Sequence, residues 1–430
     1  MKKSPVVIIE TGDRYPTQPP FNPPVIYPEY PYGSSGVDES NTVYEGVRNL
    51  LRLLGMDKEN YGKKQWNPFR GLINPGDRVL IKPNFVHSTH ASRTTEGLES
   101  LIVPSSVLRP LVDYAFIATQ GKGSIVIGDA PLDICNFYRL MDRIAMPQLV
   151  EFITRQGVPL EVVDFREPGD NISQEVREGE ATALGDPRGY VTVDMGAESS
   201  LADFDSQEQN YRTVADTSID PLDPYSQASG APNQYHNKQR HVYRLPRTVL
   251  EANVIISVAK LKTHMKTGVT LCLKNAIGTI AGKKYIPHYR TGYPPDGDAS
   301  PEPLPRSFVR KRKALVFLHE MPLVGEPIHR AISKMVNLFK IKDLVYKEYF
   351  DHGGWHGNDT LWRTIVDINR ILIYADSQGK LHPQPQRRYL GMVDGIVGGD
   401  GNVPWTPSRG GAVCCSEALT RWRLILSLPG

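Results

Sequence analysis

A dense set of basic and titratable side chains follows the apolar run VIISVA, which starts at Val254. The run has the composition of a buried strand, and the chain turns abruptly polar at its end. In open α/β sheets, polar residues at the carboxyl end of a strand lie where ligands bind. The segment therefore predicts a binding site built from Lys260, Lys262, His264, Lys266, Lys274, Lys283 and Lys284.

Lys260 and Lys262 alternate with Leu261 and Thr263. If strand geometry continues this far, both lysines face the same way. Two ammonium groups on one face repel each other unless an anion lies between them. The pair therefore predicts a phosphate, a carboxylate or a protein acid as partner, and a solvated sheet edge is the alternative.

His264 is the residue of this segment best suited to proton transfer, because the reference pKa of histidine is near neutrality. A general base at this position is one interpretation. Two others stay open: a metal ligand together with Asp129 or Asp394, and a histidine that makes only structural hydrogen bonds.

Three apolar strands end in similar chemistry. Lys82 and Asn84 follow the first strand, Asp129 ends the second, and the Lys260–His264 group follows the third. Because the carboxyl ends of parallel strands gather at one edge of a sheet, we expect these residues to form one site. The alternative is that Asp129 caps a helix and Lys82 makes a surface ion pair.

Two glycine-rich segments are candidates for ion binding. Asp394 and Asp400 belong to a Gly/Asp-rich turn, which suits either a cation or phosphate loop or a tight connection. His352 and His356 have the i, i+4 spacing of a helical zinc site, but the glycines around them indicate a loop. Oxygen ligands at Asp129, Asp394 and Asp400 favour magnesium or manganese over zinc.

Gly278 and Gly282 form a G-x-x-x-G pattern ahead of two lysines. The pattern differs from the P-loop, which needs Gly-Lys-Ser/Thr after its second glycine, and no dinucleotide-binding G-x-G-x-x-G occurs. The serine-hydrolase motif G-x-S-x-G is absent from the sequence as well. The two glycines indicate either an anion-binding loop or close packing.

The elements that must position these residues alternate between strand and helix. This alternation predicts an α/β fold with a mainly parallel sheet, helices on both faces, and insertions. The predicted strands are Val6–Glu10, taken as buried, Arg78–Lys82, Ser124–Gly128, Leu160–Phe165, Tyr190–Asp194 and Tyr389–Val397. The predicted helices are Thr42–Leu54, Ser105–Thr119, Met141–Gln156 and Leu361–Tyr374.

The same pattern divides the chain into five stretches. Residues 1–165 form the first part of the α/β domain, and residues 361–430 form its end, interpreted as incomplete. Residues 246–290 carry the site. The polar stretch 166–245 is an insertion or a small β subregion, and residues 291–360 are a loop and a basic helical insertion.

Composition excludes several classes of protein. The 430 residues carry 50 basic and 47 acidic side chains, and this balance of +3 gives no electrostatic case for nucleic acid. No apolar window reaches transmembrane length, although the basic amphipathic segment Arg330–Lys347 leaves peripheral membrane contact as an alternative to a core-facing helix. The four cysteines are Cys135, Cys272, Cys414 and Cys415. Their number and scatter favour a reduced cytoplasm over a disulfide framework. They also lack the spacing of iron–sulfur ligands.

Four segments resemble the family called domain of unknown function 362. They are VLIKPN from Val79, GDAP from Gly128, the segment from Val254 to Gly278, and MVDGIVGGDGN from Met392. The resemblance implies no established reaction. Some relatives occur among polysaccharide or redox genes, and many add a ferredoxin-like cysteine cluster, which this chain lacks. The matching motif residues are Lys82, Asn84, Asp129, Lys260, Lys262, His264, Lys274, Asn275, Asp394 and Asp400.

The end of the chain departs from the family pattern. Relatives continue after the Gly/Asp turn with a strand and an Asp-Pro-containing helix, whereas here GGAVCCSEALTRWRLILSLPG follows. This difference predicts truncation or a shifted reading frame after about Gly410, with loss of one strand and one helix.

The functional expectation is a cytoplasmic enzyme that acts on a small anionic substrate by Lys/His acid–base chemistry, with or without a divalent cation. In this hypothesis the catalytic residues are His264, Lys262 and Asp129. The substrate is bound by Lys82, Asn84, Lys260, Lys274 and Asn275, and a metal by Asp129, Asp394 and Asp400. The alternatives are a redox-accessory or binding protein without catalysis, and a lactate-racemase-like enzyme with a metal-bearing cofactor.

Overall fold

The computed structural model describes residues 5–33, 36–90, 92–168, 185–204, 211–213, 234–303, 353–402, 406–409 and 423–427. Within these ranges the main element is a nine-stranded sheet. Strands are numbered in chain order. Those of the main sheet are β1 (Val6–Glu10), β2 (Arg78–Lys82), β3 (Ser124–Asp129), β4 (Leu160–Asp164), β9 (Val254–His264), β10 (Gly268–Thr270), β12 (Arg388–Asn402), β13 (Thr406–Arg409) and β14 (Arg423–Ser427).

The order across this sheet is β1-β14-β12-β9-β2-β3-β4, with β10 paired to β9 and β13 paired to β12. The five strands from β12 to β4 are parallel, and the remaining pairs are antiparallel. The predicted α/β class with a mainly parallel sheet is therefore confirmed. β12 is longer than predicted, since it continues from Val397 to Asn402.

The first strand of the chain is not buried, and that part of the prediction is wrong. β1 pairs only with β14 at the edge of the sheet. Alternate residues therefore face solvent, with Val6 60% exposed and Ile8 44% exposed, whereas Val7 and Ile9 contact the core. An apolar run of five residues does not distinguish a half-exposed edge strand from a central one.

Helices lie on both faces of the sheet, as predicted. They are α1 (Thr42–Leu54), α2 (Thr95–Leu101), α3 (Ser105–Thr119), α4 (Phe137–Arg143), α5 (Met146–Arg155), α6 (Arg247–Glu251), α7 (Cys272–Asn275) and α8 (Leu361–Tyr374). Short 3₁₀ turns occupy Lys58–Asn60, Gly196–Glu198, Ala202–Phe204, Ala276–Thr279 and Lys283–Tyr285. The Asn41 side chain caps α1 by accepting the N–H of Tyr44.

Successive strand residues feed two separate cores because side chains alternate across a sheet. Val79 and Ile81 of β2 point into a core shared with α1, α3 and α5, whereas Leu80 points into a second core. The second core is closed by α6, α8 and a small antiparallel sheet. That small sheet has the order β5-β8-β7, from Tyr190–Asp194, Arg240–Pro246 and His236–Asn237. A further pair joins β6 (Tyr211–Thr213) to β11 (Pro287–Arg290).

The single helix predicted over Met141–Gln156 is instead two helices, α4 and α5. Ala145 lies between them with a φ of 53°, in the left-handed region. A residue in that conformation cannot continue a right-handed helix, so the chain changes direction there. The apolar spacing is compatible with one helix and carries no signal for this break.

No single described helix is long and apolar enough to cross a membrane, and only the bent pair α2 and α3, which meet at 49°, reaches that length together. The apolar side chains of both helices pack in the first core. The amphipathic segment Arg330–Lys347, His352 and the cysteines at 414 and 415 lie outside the described residues.

Candidate functional site

Strand geometry continues through the whole Lys260–His264 group, because β9 ends only at His264. The side chains of Lys260, Lys262 and His264 therefore belong to the same face. At Lys260 the strand pairs with Asp394 of β12, and at Lys262 it pairs with Thr270 of β10. The three residues extend from the centre of the sheet to its carboxyl edge.

Lys260 already has a protein acid as its partner. Its Nζ lies 2.8 Å from Oδ2 of Asp394 and donates to the hydroxyl oxygen of Tyr15 at 2.6 Å. Tyr15 in turn donates to Asp394, and both side chains of the ion pair are fully buried. Burial lowers the pKa of Lys260, and the charge of Asp394 opposes that shift. No surface of this ammonium group is open to a ligand.

Lys82 makes a second buried ion pair at the ends of β2 and β3. Its Nζ lies 2.7 Å from Oδ1 of Asp129 and donates to the side-chain oxygen of Asn275 at 3.0 Å. Asn275 donates back to the Lys82 carbonyl and to Ser257, which locks the lysine in place. Burial lowers the pKa of Lys82, and Asp129 opposes the shift.

The second ion pair leaves no room for a side chain at position 278. A Cβ at position 278 would overlap Oδ1 of Asp129 and lie 2.7 Å from the Lys82 Nζ. The Gly278 carbonyl also accepts the N–H of Ala130. Of the two interpretations of the G-x-x-x-G pattern, close packing accounts for Gly278.

Lys262 differs from Lys260 and Lys82 because no carboxylate pairs with it among the described residues. Its Nζ donates to the Leu101 carbonyl at 2.7 Å, and the side chain is buried. Burial lowers the pKa of Lys262 well below its usual value, and the charges of Lys274, Lys260 and Lys82 lower it further, while Asp129 opposes them. This position would therefore gain from a bound anion.

Lys274, unlike Lys82, Lys260 and Lys262, lines an open cavity. It follows β10 on the short helix α7, is half-buried, and lines a cavity of about 980 Å³. Within the described ranges it has neither a hydrogen bond nor an ion pair. Burial, and then the charge of Lys82, lowers its pKa to about 8.

His264 lies beside these cations. Its ring is buried, and Nδ1 accepts the backbone N–H of Lys266 at 3.2 Å. Burial, and next the charge of Lys274, holds the pKa of His264 well below its usual value. Burial and Lys266 lower the pKa of the nearby His288 in the same way. The imidazole of His264 is thus held neutral, with its proton on Nε2, because Nδ1 is occupied as an acceptor.

The four lysines and two aspartates give this edge an unbalanced charge. Lys82, Lys260, Lys262 and Lys274 bring four ammonium groups, and Asp129 and Asp394 bring two carboxylates, which leaves two positive charges when all are ionised. The charge of Glu99 also raises the pKa of Lys260 and of Tyr15, by less than the charge of Asp394 does. Of these four lysines, Lys262 and Lys274 have no carboxylate partner in the part of the chain that the structure describes.

The remaining predicted residues are less closely connected. Asn84 is half-buried, and its Oδ1 has no hydrogen-bond partner among the described residues. Asp400 lies opposite Ser408 in the β12–β13 hairpin. No group of three or more His, Cys, Asp or Glu side chains in the described ranges is placed to hold a metal ion. The metal assignment of Asp129, Asp394 and Asp400 stays a prediction without an assembled ligand set.

Two residues that contact the site lysines could not be predicted from the sequence. Tyr15 lies at the start of a proline-rich coil, 245 positions from Lys260, whose ammonium it contacts. Leu101 contributes a backbone carbonyl, which any residue would supply. His356 lines the cavity, and His352, with which it has the i, i+4 spacing of a zinc site, lies outside the described ranges.

Comparisons with known proteins give a family but no activity. A search of curated protein sequences finds no match. Among solved structures, the chain is similar to a crystal structure of a protein from Thermotoga maritima, with 11% sequence identity and a TM-score of 0.30. That alignment covers 85% of this chain and 52% of the other, so this chain spans about half the length of that structure. The family model described as Domain of unknown function (DUF362) matches residues 172–417. Because this match covers more than half of the sequence, the chain belongs to the DUF362 family.

Proposed function

We propose that this chain binds an organic anion, a carboxylate or a phosphate ester, between Lys262 and Lys274. The observation that carries the proposal is the pair of buried or half-buried lysines without a carboxylate partner in the described ranges, one of which lines a large cavity. The charge of Lys274 lowers the pKa of Lys262, so the two like charges are unfavourable together until an anion neutralises them. The other two lysines, each paired with an aspartate, hold the framework.

In this proposal His264 is a hydrogen-bond donor to the anion. Its Nδ1 accepts the Lys266 N–H, so the neutral ring carries its hydrogen on Nε2. A neutral imidazole in this tautomer polarises a carbonyl or phosphoryl oxygen without giving up its proton. If the chain is an enzyme, as the sequence hypothesis holds, this polarisation is the chemistry that His264 contributes, and the role of general base requires Nδ1 to be released first.

Calorimetric titration with inorganic phosphate and with acetate at pH 7 tests the proposal. We expect Lys262→Met and Lys274→Met each to weaken binding roughly 10- to 100-fold, because each removes a charge-assisted hydrogen bond. Lys122→Met is the matched control, since Lys122 is exposed in the turn before β3, at the opposite end of that strand. Failure of both anions to bind, or equal affinity of Lys262→Met and the unmodified protein, would refute the proposal.

The role of His264 is tested separately. His264→Asn replaces the ring with an amide that still donates, whereas His264→Ala removes the donor. We expect the asparagine variant to keep most of the anion affinity and the alanine variant to lose about tenfold. Equal losses in both variants would show that donation from Nε2 is not what His264 contributes.

A further inference from the structure

The cavity beside Lys274 is much larger than a small acid needs. Its volume is about 980 Å³, within the range of sites that enclose whole organic ligands of about 300–1,000 Å³. It is bounded by β10, α7, α8 and one face of β12. A phosphate or acetate ion at Lys274 would leave nearly all of this space unused.

The walls of the cavity are mostly apolar. They are formed by Met265, Val269, Leu271, Leu273, Trp362, Ile365, Val366, Tyr389 and Val393. Three of these side chains are unusually accessible for their type, with Leu273 65%, Trp362 45% and Met265 41% exposed. Contiguous apolar side chains left in contact with water are typical of a binding groove.

Two lysines are the charged side chains that line this cavity among the described residues. They are Lys266 and Lys274, and no aspartate or glutamate in those ranges lines it. Asn358 is its remaining side-chain amide, and both of its amide hydrogen bonds go to backbone carbonyls. Apolar walls that also carry two lysines complement a molecule that has an anionic head and an apolar body.

We infer that the ligand is an amphipathic organic anion, with its head at Lys274 and an alkyl or aromatic body along Leu273, Trp362 and Ile365. This inference rests on the proposed anion site and adds the class of molecule that occupies it. Lys274 joins the two parts, because it lines the cavity and interacts with the charges of Lys82 and Lys262.

Titration calorimetry with octyl phosphate and octanoate, each compared with its head group alone, separates the two parts. The head-group probes are inorganic phosphate and acetate, and octanol supplies the tail alone. We expect at least one of the two amphipathic anions to bind on the order of 30-fold more tightly than its head group, because several methylene groups leave water. We expect octanol to bind more weakly than that anion by a similar factor.

Leu273→Gln tests the wall. Leu273 is so exposed that the change leaves the core intact, and we expect it to weaken binding of the amphipathic anion at least threefold while leaving the head-group probe unaffected. The matched control is Leu53→Gln, because Leu53 on α1 is 48% exposed and lies away from the cavity. It should change neither affinity.

The outcomes distinguish the inference from the proposal beneath it. If the head groups bind and the octyl chain adds nothing, the inference is wrong and the anion site stands. If octanol binds as well as the amphipathic anions and Lys274→Met has no effect, the cavity is a purely apolar site and the inference is again wrong. If none of the probes binds, both fail.

Discussion

Lys260 and Asp394 are direct partners across the parallel strands β9 and β12, and their side chains meet with Nζ 2.8 Å from Oδ2. Neither side chain has any exposed surface. Tyr15 completes the cluster by contacting both members, so the proline-rich coil is attached to the centre of the sheet. This lysine, which the sequence marks as a substrate ligand, has the contacts of a structural residue.

Asp394→Asn should therefore destabilise the protein strongly. The change leaves a buried ammonium group without a counter-charge, and loss of one partner of a buried pair costs about 3–5 kcal/mol in the free energy of unfolding. The double variant Lys260→Met with Asp394→Leu removes both charges and should lose much less than the sum of the single changes Lys260→Met and Asp394→Leu. Urea unfolding followed by circular dichroism measures all four variants. Additive losses would contradict a direct interaction.

Gly278→Ala should also destabilise the protein, by about 3 kcal/mol, because the new methyl group overlaps Asp129 and forces the ion pair with Lys82 apart. The control is Gly354→Ala, whose Cβ comes no closer than 3.3 Å to the flexible side chain of Met265. The same unfolding measurement compares the two. A stable Gly278→Ala protein would mean that the pair tolerates displacement.

The local elements were accessible from the sequence because each is recorded in the periodicity of its own residues. The strand from Val254 and the alternation of Lys260 with Lys262 follow from a period of two, and the helix from Thr42 follows from a period near four. The carboxyl-edge rule places Lys82 and Asp129 at neighbouring strand ends, and in the structure they are in contact.

The partners of these residues could not be read in the same way. Which lysine takes which acid depends on strand order, and β12, which brings Asp394 to Lys260, follows β9 only after more than a hundred residues. The cavity wall likewise combines Leu273 with Trp362, from two helices that are distant in the chain. Periodicity describes the face that a residue occupies but not the element that packs against it.

His236 should make stability fall in mild acid. Burial, and next the nearby His241, lowers its pKa to about 3 from the usual 6.5. Between these values the unfolded chain binds a proton that the folded chain does not, so stability decreases as pH falls through 6.5. From pH 7 to pH 5 the loss from this residue is about 2 kcal/mol.

Denaturant unfolding of His236→Gln at both pH values checks this expectation. The variant should lose less stability on acidification than the unmodified protein. An unchanged slope in His236→Gln would assign the acid sensitivity to other groups, such as His264 and His288, whose pKa values are also lowered.

Anion affinity should weaken in alkaline solution, because Lys274 has a pKa of about 8. The groups that interact with it are Lys82, Lys262, His264 and His288. If binding requires the charged amine, the competent fraction falls from about nine-tenths at pH 7 to about one-tenth at pH 9, a roughly tenfold loss. Octanoate is the appropriate ligand for calorimetry, since its carboxylate stays ionised throughout this range.

Lys274→Met should bind octanoate weakly at both pH values and lose most of this pH dependence, whereas Lys122→Met should retain it. A tenfold decline that persists in Lys274→Met would assign the titration to another group, with Lys262 the first to examine, because its own pKa is lowered by burial and by neighbouring charges.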